Sequence, residues 1–256
     1  METQTGDRNI KSIVKAANII DLLSEAEAPL SLGEIANRLD MQKSTLHGIL
    51  ATLCAVGFVA QSPENGRYRL SVKLFELGNK VAASWNERKL AYPYMKRIVA
   101  QTGEAVHMAV LEDGDVLYIQ KQESEQSIRI VTDNGVRLPP HCSGVGKVLL
   151  SGLSDSEIQK LVRKKGLVRY TDRTITDFDS LMTELETVRR QGYALDDQEF
   201  MIGLKCVAVP IADYHGKIKT ALSISAPVAR MDGERLERNR LLLQEAADAI
   251  MKQLKR

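Results

Sequence analysis

Hydrophobic positions near the start of the chain recur at helical spacing. Over residues 12–25 the apolar side chains fall three or four apart, which predicts an amphipathic helix. They are Ile13, Val14, Ala17, Ile20 and Leu23. After a short connection, Ser31 and Glu34 stand three residues apart, as in a capping box, where each satisfies a backbone N–H of the other. The spacing predicts a second, short helix over about 32–39.

A third helix is predicted over about 43–55, with its apolar positions on one side. They are Leu46, Ile49, Leu50, Leu53 and Val56. Gly57 is placed to end this helix in a left-handed conformation. Two β-prone stretches, 58–61 and 67–70, then flank a turn containing Asn65-Gly66, which predicts a hairpin. Helix, short helix, helix and hairpin in this order predict a winged helix-turn-helix.

The next segment predicts a connecting helix over 72–92. Apolar and charged side chains alternate along it without an internal proline. Pro93 is expected to break this helix, which then restarts over 94–101 and ends at Gly103.

Beyond Glu104 the pattern changes to strands mixed with helices. Strands are predicted over 106–111, 116–122, 128–131, 206–211 and 220–225. Helices are predicted over about 154–165, 179–191 and 231–255. The fold class is therefore α+β with a mainly antiparallel sheet. The domains predicted are a winged helix-turn-helix over 1–71, a linker and dimerisation helix over 72–92, and a ligand-binding domain over 93–256.

Composition is that of an ordinary globular protein. The 256 residues are 44% hydrophobic and 27% charged, with a formal net charge of +2. The sequence contains no apolar run long enough to span a membrane and begins without an apolar signal core. The three cysteines lie far apart, so a disulfide framework is not expected and the cytoplasm is the predicted compartment.

The start of the third helix carries the candidate DNA contacts. Hydrogen-bonding side chains precede and fill its first turns, away from the apolar stripe, where such a helix meets base edges in the major groove. They are Gln42, Lys43, Ser44, Thr45 and His47. On the hairpin, Arg67 and Arg69 lie two residues apart on one face and can touch phosphates or the minor groove. The expected partner is double-stranded DNA.

Other chemistry is weighed against this interpretation. A winged helix can also serve as a protein-interaction module without DNA binding. Gly144 to Lys147 resembles part of a phosphate loop but lacks the full motif, because Val148 follows the lysine. His141, Cys142 and Cys206 leave open a thiol enzyme or a metal site, although no metal-ligand spacing is present. No enzyme activity and no cofactor are expected. The acidic run at 196–199 is interpreted either as a solvated loop or as part of a site.

Motifs in both halves resemble the IclR family of bacterial transcriptional regulators. In the first half these are Ser31-Leu-Gly-Glu-Ile-Ala, Lys43-Ser-Thr-Leu-His, Asn65-Gly-Arg-Tyr-Arg-Leu and Leu77-Gly78. In the second half they are Thr102-Gly-Glu, Arg137-Leu-Pro, His141-Cys-Ser-Gly-Val-Gly-Lys147, Gly192-Tyr-Ala-Leu-Asp-Asp197 and Gly203-Leu-Lys-Cys206. The resemblance covers about residues 10–250. It implies a GAF-like effector domain, homodimers or dimers of dimers, and palindromic operators upstream of catabolic genes.

The resemblance also implies where an effector binds. Carried over by motif, the polar and backbone candidates are Gly144, Val145, Asp196, Cys206, Ser223 and Ser225, with Ile130 and Leu138 as apolar walls. Backbone N–H groups at Gly144 and Val145, which lead into a helix, suit a carboxylate. The predicted protein is a DNA-binding transcriptional repressor or activator controlled by a small organic acid.

Overall fold

The computed structural model describes residues 9–123 and 134–254, and these form two units that divide between Ser84 and Trp85. Ile130 and the predicted strand over 128–131 lie outside the described residues. No helix in the described ranges is long and apolar enough to cross a membrane.

The described residues of the first unit, 9–84, form four helices and a hairpin. In chain order the elements are α1 (Lys11–Glu25), α2 (Leu32–Arg38), α3 (Lys43–Ala55), β1 (Val59–Gln61), β2 (Tyr68–Leu70) and α4 (Val72–Ser84). The capping box at α2 is present, because Ser31 and Glu34 each accept a hydrogen bond from the other's backbone N–H. Gly57 follows α3 with φ +79°, the left-handed conformation that its position predicts. The hairpin pairs Val59 with Leu70 in antiparallel register.

The core of the first unit forms between α1, α2, α3 and the hairpin. Leu46, Leu50 and Leu53 of α3 are buried against Ile19 of α1 and other apolar side chains. Ile49 is half-buried, whereas Val56, predicted on the core side, is exposed because α3 has already ended. Since α3 buries only this stripe, its other face lies in solvent.

In the second unit, residues 85–123 and 134–254 form a six-stranded antiparallel sheet with helices on both faces. Its strands are β3 (Ala105–Glu112), β4 (Asp115–Gln122), β5 (Arg137–Leu138), β6 (Ala194–Asp197), β7 (Leu204–Ala212) and β8 (Ile218–Pro227). Its helices are α5 (Asn86–Thr102), α6 (Gly144–Ser151), α7 (Asp155–Lys165), α8 (Phe178–Gln191) and α9 (Gly233–Leu254). The strand order is β5-β4-β3-β8-β7-β6. The α+β class and the antiparallel sheet are confirmed.

Helices cover each face of this sheet with a separate apolar core. On one face, α5 and α9 contribute Met95, Ile98 and Ile250 to the core. On the other face, Val145 and Val148 of α6 pack on alanines of the central strands. A third cluster joins α6 to α7 and α8 behind it. The α6 face therefore holds a helix N-terminus close to the sheet.

The break in the connecting helix lies at Trp85, so the prediction of a break near Pro93 is wrong. Trp85 is extended, with φ −82° and ψ 102°, between α4 and α5. Pro93 lies inside α5, which is anchored on the sheet by buried Ala91 and Met95. A proline removes one helical hydrogen bond, and packing on both sides of it outweighs that loss. The predicted linker over 72–92 is thus shared between α4 in the first unit and α5 in the second.

Candidate functional site

The exposed face of α3 presents the predicted DNA contacts together. Their side chains lie in solvent, whereas Leu46 between them is buried. The exposed residues are Gln42, Lys43, Ser44, Thr45 and His47. The first turn of α3 contains no acidic side chain, and in the described structure no side chain caps its N-terminus. Its backbone N–H groups are therefore available to an anion such as a DNA phosphate.

The two arginines of the hairpin have different surroundings. Arg69 is exposed on β2, and Tyr68 beside it is buried on the opposite face, as predicted. Arg67 donates hydrogen bonds from one guanidinium nitrogen to the Pro29 carbonyl oxygen, at 2.8 Å, and to Glu34, at 3.0 Å. Arg67 thus ties the hairpin to the beginning of α2, while the Arg69 side chain lies in solvent.

A contact that the sequence did not indicate closes the other end of α3. The Lys73 ammonium donates a hydrogen bond to the Val56 carbonyl oxygen at 2.6 Å. The same group lies 5.2 Å from the ring centre of Phe58. A cation suits the C-terminal end of a helix, so Lys73 stabilises α3 and fixes α4 beside it.

In the second unit, seven of the eight effector candidates line one pocket; the eighth is Ile130, outside the described residues. The seven are Leu138, Gly144, Val145, Asp196, Cys206, Ser223 and Ser225. The sequence did not single out the other residues that line it, which are Tyr118, Ser143, Phe200, Met201 and Leu204. The cavity measures about 50 Å³. Pockets for drug-sized ligands measure about 300–1,000 Å³, so the cavity in this structure is small for an organic ligand.

The N-terminus of α6 forms one wall of the pocket. Ser143 caps the helix by accepting a hydrogen bond from the Gly146 N–H at 3.2 Å. Gly146 lets this turn pack directly on the preceding residues, because a Cβ there would overlap the carbonyl group of Pro140. Gly144 and Val145 therefore lie in the cavity wall at a helix N-terminus, where an anionic oxygen is favoured.

The strands form the opposite wall through their register. Asp196 of β6 pairs with Cys206 of β7, and Cys206 pairs with Ser225 of β8. Directly paired residues share a face of an antiparallel sheet, so these three side chains form a row under α6. On β3, His107 pairs with Ser223, and its Nδ1 lies 3.5 Å from the Ser225 hydroxyl. No sequence pattern singled out this histidine, since a lone His in a strand belongs to no motif.

Burial disfavours the charged forms of the ionisable groups in and beside the pocket. It raises the pKa of Asp196 to about 7, even though the carboxylate accepts a hydrogen bond from the Glu199 N–H at 2.8 Å. Burial, with Lys121 nearby, lowers the pKa of His107 to about 4. Burial also raises the pKa of Cys206 well above its ordinary value and that of Cys142 to about 12. A reactive cysteine needs a lowered thiol pKa, so neither fits a nucleophile.

The structure shows what the other chemical candidates do. The Nε2 atom of His141 lies 3.0 Å from the Val168 carbonyl oxygen. No group of three or more His, Cys, Asp or Glu side chains is placed for a metal within residues 9–123 and 134–254. Lys147, considered for a phosphate loop, is buried and bonded to Glu199 at 2.6 Å and to Glu184 at 2.9 Å.

The solvated-loop interpretation of residues 196–199 is wrong. Asp196 and Glu199 are buried, and Asp196 and Asp197 belong to β6. Of the three acidic residues, Asp197 alone is partly exposed, and Arg173 pairs with it at 3.0 Å. The pattern failed because Lys147 neutralises Glu199 from α6, a partner that no sequence spacing reveals.

A winged helix-turn-helix with an exposed polar recognition helix, followed by an α+β unit with an enclosed pocket, defines a ligand-responsive DNA-binding protein. Residues 12–63 match the family described as the IclR helix-turn-helix domain. Residues 79–252 match the one described as bacterial transcriptional regulator IclR C-terminal. The chain belongs to the IclR family of bacterial transcriptional regulators.

The relatives agree along almost the whole chain. The HTH-type transcriptional regulator XynR of Escherichia coli is 35% identical over 245 residues, covering 96% of this chain and 97% of XynR. The crystal structure of IclR from Thermotoga maritima superposes with a TM-score of 0.78 at 31% identity, covering 97% and 100% of the two chains. An IclR homologue of Microbacterium hydrocarbonoxydans, in complex with 4-hydroxybenzoate, has the same fold, with a TM-score of 0.84 at 24% identity and coverage of 95% and 99%.

These findings confirm the predicted function class. The protein is a DNA-binding, effector-responsive transcriptional regulator and not an enzyme. The relatives named here are transcriptional regulators, and nothing about them favours a protein-interaction module.

Proposed function

We propose that this regulator binds a palindromic operator as a homodimer, or a dimer of dimers, and controls a catabolic operon in response to a small organic acid. The observation that supports the response to a small organic acid is the pocket, in which seven candidate residues from separate segments meet at the N-terminus of α6. As a protein acting on bacterial chromosomal DNA, it works in the cytoplasm.

For the DNA half, we propose that α3 enters the major groove with Lys43, Ser44, Thr45 and His47 toward the bases and Gln42 at its edge. Arg69 on the hairpin is assigned to a phosphate of the same half-site. Arg67 stays with the DNA-binding face, where it acts by holding the hairpin. Two copies related by a twofold axis read two half-sites, which makes the operator palindromic.

The pairing of two copies is supported by the surface of α4. In the described chain this helix buries none of its residues. Val72, Phe75 and Val81 are 66%, 70% and 55% exposed. A helix that leaves large apolar side chains in water is stabilised when a second copy covers them.

For the effector half, we propose an acid whose carboxylate sits on the N–H groups of Gly144 and Val145. No Lys or Arg is among the described residues that line the pocket, so these amides supply the attraction for an anion. Ser223 and Ser225 offer hydroxyls, and Asp196, when protonated, offers a further donor. Leu138 forms an apolar wall. The Microbacterium homologue holds a carboxylic acid, 4-hydroxybenzoate, which supports this ligand class.

The effector controls transcription by binding unequally to the DNA-bound and free states. Such coupling between sites is typically about 1–3 kcal/mol and is reciprocal, so an acid that weakens operator binding binds less tightly to the complex.

A thermal-shift screen of small carboxylates tests the effector, since a ligand that binds only the folded protein raises its apparent stability. We expect at least one acid to raise the melting temperature and to change operator affinity in a fluorescence anisotropy titration. If no carboxylate stabilises the protein while uncharged isosteres do, the effector is not an acid.

A further inference from the structure

Lys147 lies at the centre of a group of three charges, formed with Glu184 and Glu199. Its side chain is 2% exposed. The ammonium bonds Glu199 at 2.6 Å and Glu184 at 2.9 Å. Burial lowers the pKa of Lys147, but the two carboxylates raise it more, so the pKa lies above its usual value. A buried ammonium is costly without a partner, so this lysine must always retain at least one carboxylate.

The two carboxylates belong to segments of different kinds. Glu184 lies on α8, which is fixed by buried Leu181 and Leu185 on either side. Glu199 lies in the connection between β6 and β7, and Phe200 and Met201, which follow it, line the pocket. We name residues 198–203 the wall segment. The bond from Lys147 to Glu199 joins the wall segment to α6, whose first turn forms the facing wall.

The carboxylate of Glu199 is held by Lys147. The backbone of Glu199 is held separately, because its N–H donates to Asp196 and its carbonyl oxygen accepts from the Thr171 hydroxyl. Its Oε1 atom accepts from Lys147, whereas its Oε2 atom is buried without a hydrogen-bond partner in the described part of the chain. Its carbonyl oxygen also accepts from the Thr174 hydroxyl at 2.6 Å. A buried carboxylate oxygen without a partner costs free energy that water would restore. Outward movement of the wall segment therefore hydrates Oε2 and offsets part of the lost ion pair.

Glu184 is placed to keep the lysine paired if the wall segment moves. Its side chain is 30% exposed and stays with α8. The cavity of about 50 Å³ is smaller than most organic acids require, so such a ligand enters only when the wall segment moves outward.

We propose that Lys147 is a positioning residue of the effector pocket. It holds the wall segment closed through Glu199, and when the segment opens it remains paired with Glu184 alone. The proposal rests on the proposed function of the pocket as the effector site. It makes the two carboxylates act in opposite directions: Glu199 favours the closed pocket, and Glu184 lowers the cost of opening it.

Cys206 reports opening without any ligand. It lines the pocket and is 7% exposed, so its alkylation requires movement of the wall. The full-length protein is treated with iodoacetamide under native conditions at several pH values, and the labelling rate at Cys206 is measured by peptide mass spectrometry. Because the charge of Glu199 itself raises the pKa of Cys206, the pH series gives each variant's apparent thiol pKa, and the rates are compared after correction for it. Cys54, in the first unit, serves as the internal reference.

We expect Glu199→Gln to accelerate Cys206 labelling about tenfold, because it weakens a charge-assisted hydrogen bond. We expect Glu184→Gln to slow the labelling about threefold, because the open state then leaves Lys147 poorly paired. Glu186→Gln, an exposed position on the same helix, is the matched control and should leave the rate unchanged. If Glu199→Gln does not fold, the double variant Lys147→Met with Glu199→Gln replaces it. The double variant removes the ion pair and leaves neither position 147 nor position 199 charged.

The proposal is supported if Glu199→Gln accelerates Cys206 labelling and Glu184→Gln slows it. Labelling of the Glu199 variant at the wild-type rate, or acceleration by both variants, overturns it, because a merely structural ion-pair group would loosen when either partner is weakened. Protection of wild-type Cys206 by acetate, lactate or 4-hydroxybenzoate is measured separately. Absence of protection counts against the acid effector alone and leaves the ligand-free comparison intact.

Discussion

The guanidinium of Arg67 donates a hydrogen bond to the carboxylate of Glu34 at 3.0 Å, and that carboxylate also accepts the Ser31 N–H of the α2 capping box. One carboxylate thus joins the hairpin to the helix that precedes the recognition helix. The Ser31 hydrogen bonds, with smaller contributions from Arg67 and Arg38, lower the pKa of Glu34. The position of the hairpin is therefore linked to the start of α2.

We expect Arg67→Ala and Arg69→Ala to differ in how operator affinity depends on salt concentration. Arg69→Ala is expected to weaken operator binding and to reduce the slope of log K against log salt by about 1, because a phosphate contact is lost. Arg67→Ala is expected to weaken binding with little change of slope, and to lower stability only slightly, because the ion pair is half-exposed. Fluorescence anisotropy over a salt series measures both. Equal loss of slope would place Arg67 directly on DNA.

Replacing Lys43 by Ala should weaken operator binding without altering effector binding. The side chain is exposed at the start of α3 and belongs to a different unit from the pocket. Anisotropy titrations with operator DNA and thermal shifts with a stabilising acid measure the two properties. Lys160→Ala, an exposed lysine on α7, is the control. Normal operator binding by the Lys43 variant would show that the docking face has been misassigned.

Ser223→Ala should reduce the response to the effector and leave operator affinity unchanged in its absence. Ser223 is 2% exposed and lines the pocket, so the change removes a hydroxyl and little volume. One lost hydrogen bond corresponds to an affinity decrease of about three- to tenfold. Ser156→Ala, at an exposed position on α7, controls for loss of a serine. A ligand titration identical to that of the wild type would remove Ser223 from the site.

Asp196 should make stability fall as pH rises. Its folded pKa of about 7 lies above the ordinary value of 3.8, so between these values the folded state binds more protons than the unfolded state. Stability contributed by this group is therefore greatest below about pH 4 and is lost as pH rises through about 7. The charged groups near it are Glu199, which raises its pKa, and Lys147, which lowers it.

Urea unfolding of the wild type and of Asp196→Asn from pH 5 to 8 measures this effect. The variant should become progressively more stable relative to the wild type as pH rises, since it carries no charge to bury. A stability difference that does not change with pH would show that Asp196 has an ordinary pKa.

The sequence predicted local structure well where spacing and capping decide it. The bounds of α3 follow from its apolar stripe and from Gly57, and α2 follows from the Ser31–Glu34 capping box. Most of the pocket was predicted from motif resemblance, because its residues come from five separate segments and no spacing joins them.

What the sequence did not reveal depends on partners distant in the chain. Lys147 and Glu199 are 52 positions apart, and only the fold brings them into an ion pair that permits both to be buried. Pro93 looked like a helix end, yet burial of Ala91 and Met95 keeps α5 continuous around it. Tertiary packing decides such positions, and it acts against the local propensity.

Gly146 has a consequence for how such a sensor can change. Any side chain at this position would collide with the Pro140 carbonyl group. The turn at the start of α6 therefore cannot be altered by a single substitution at Gly146. Phe200 and Met201 carry no such restriction, since they lie on a connection between two strands. New ligand preferences can therefore arise by substitutions in these walls, while the turn at the start of α6 keeps its shape.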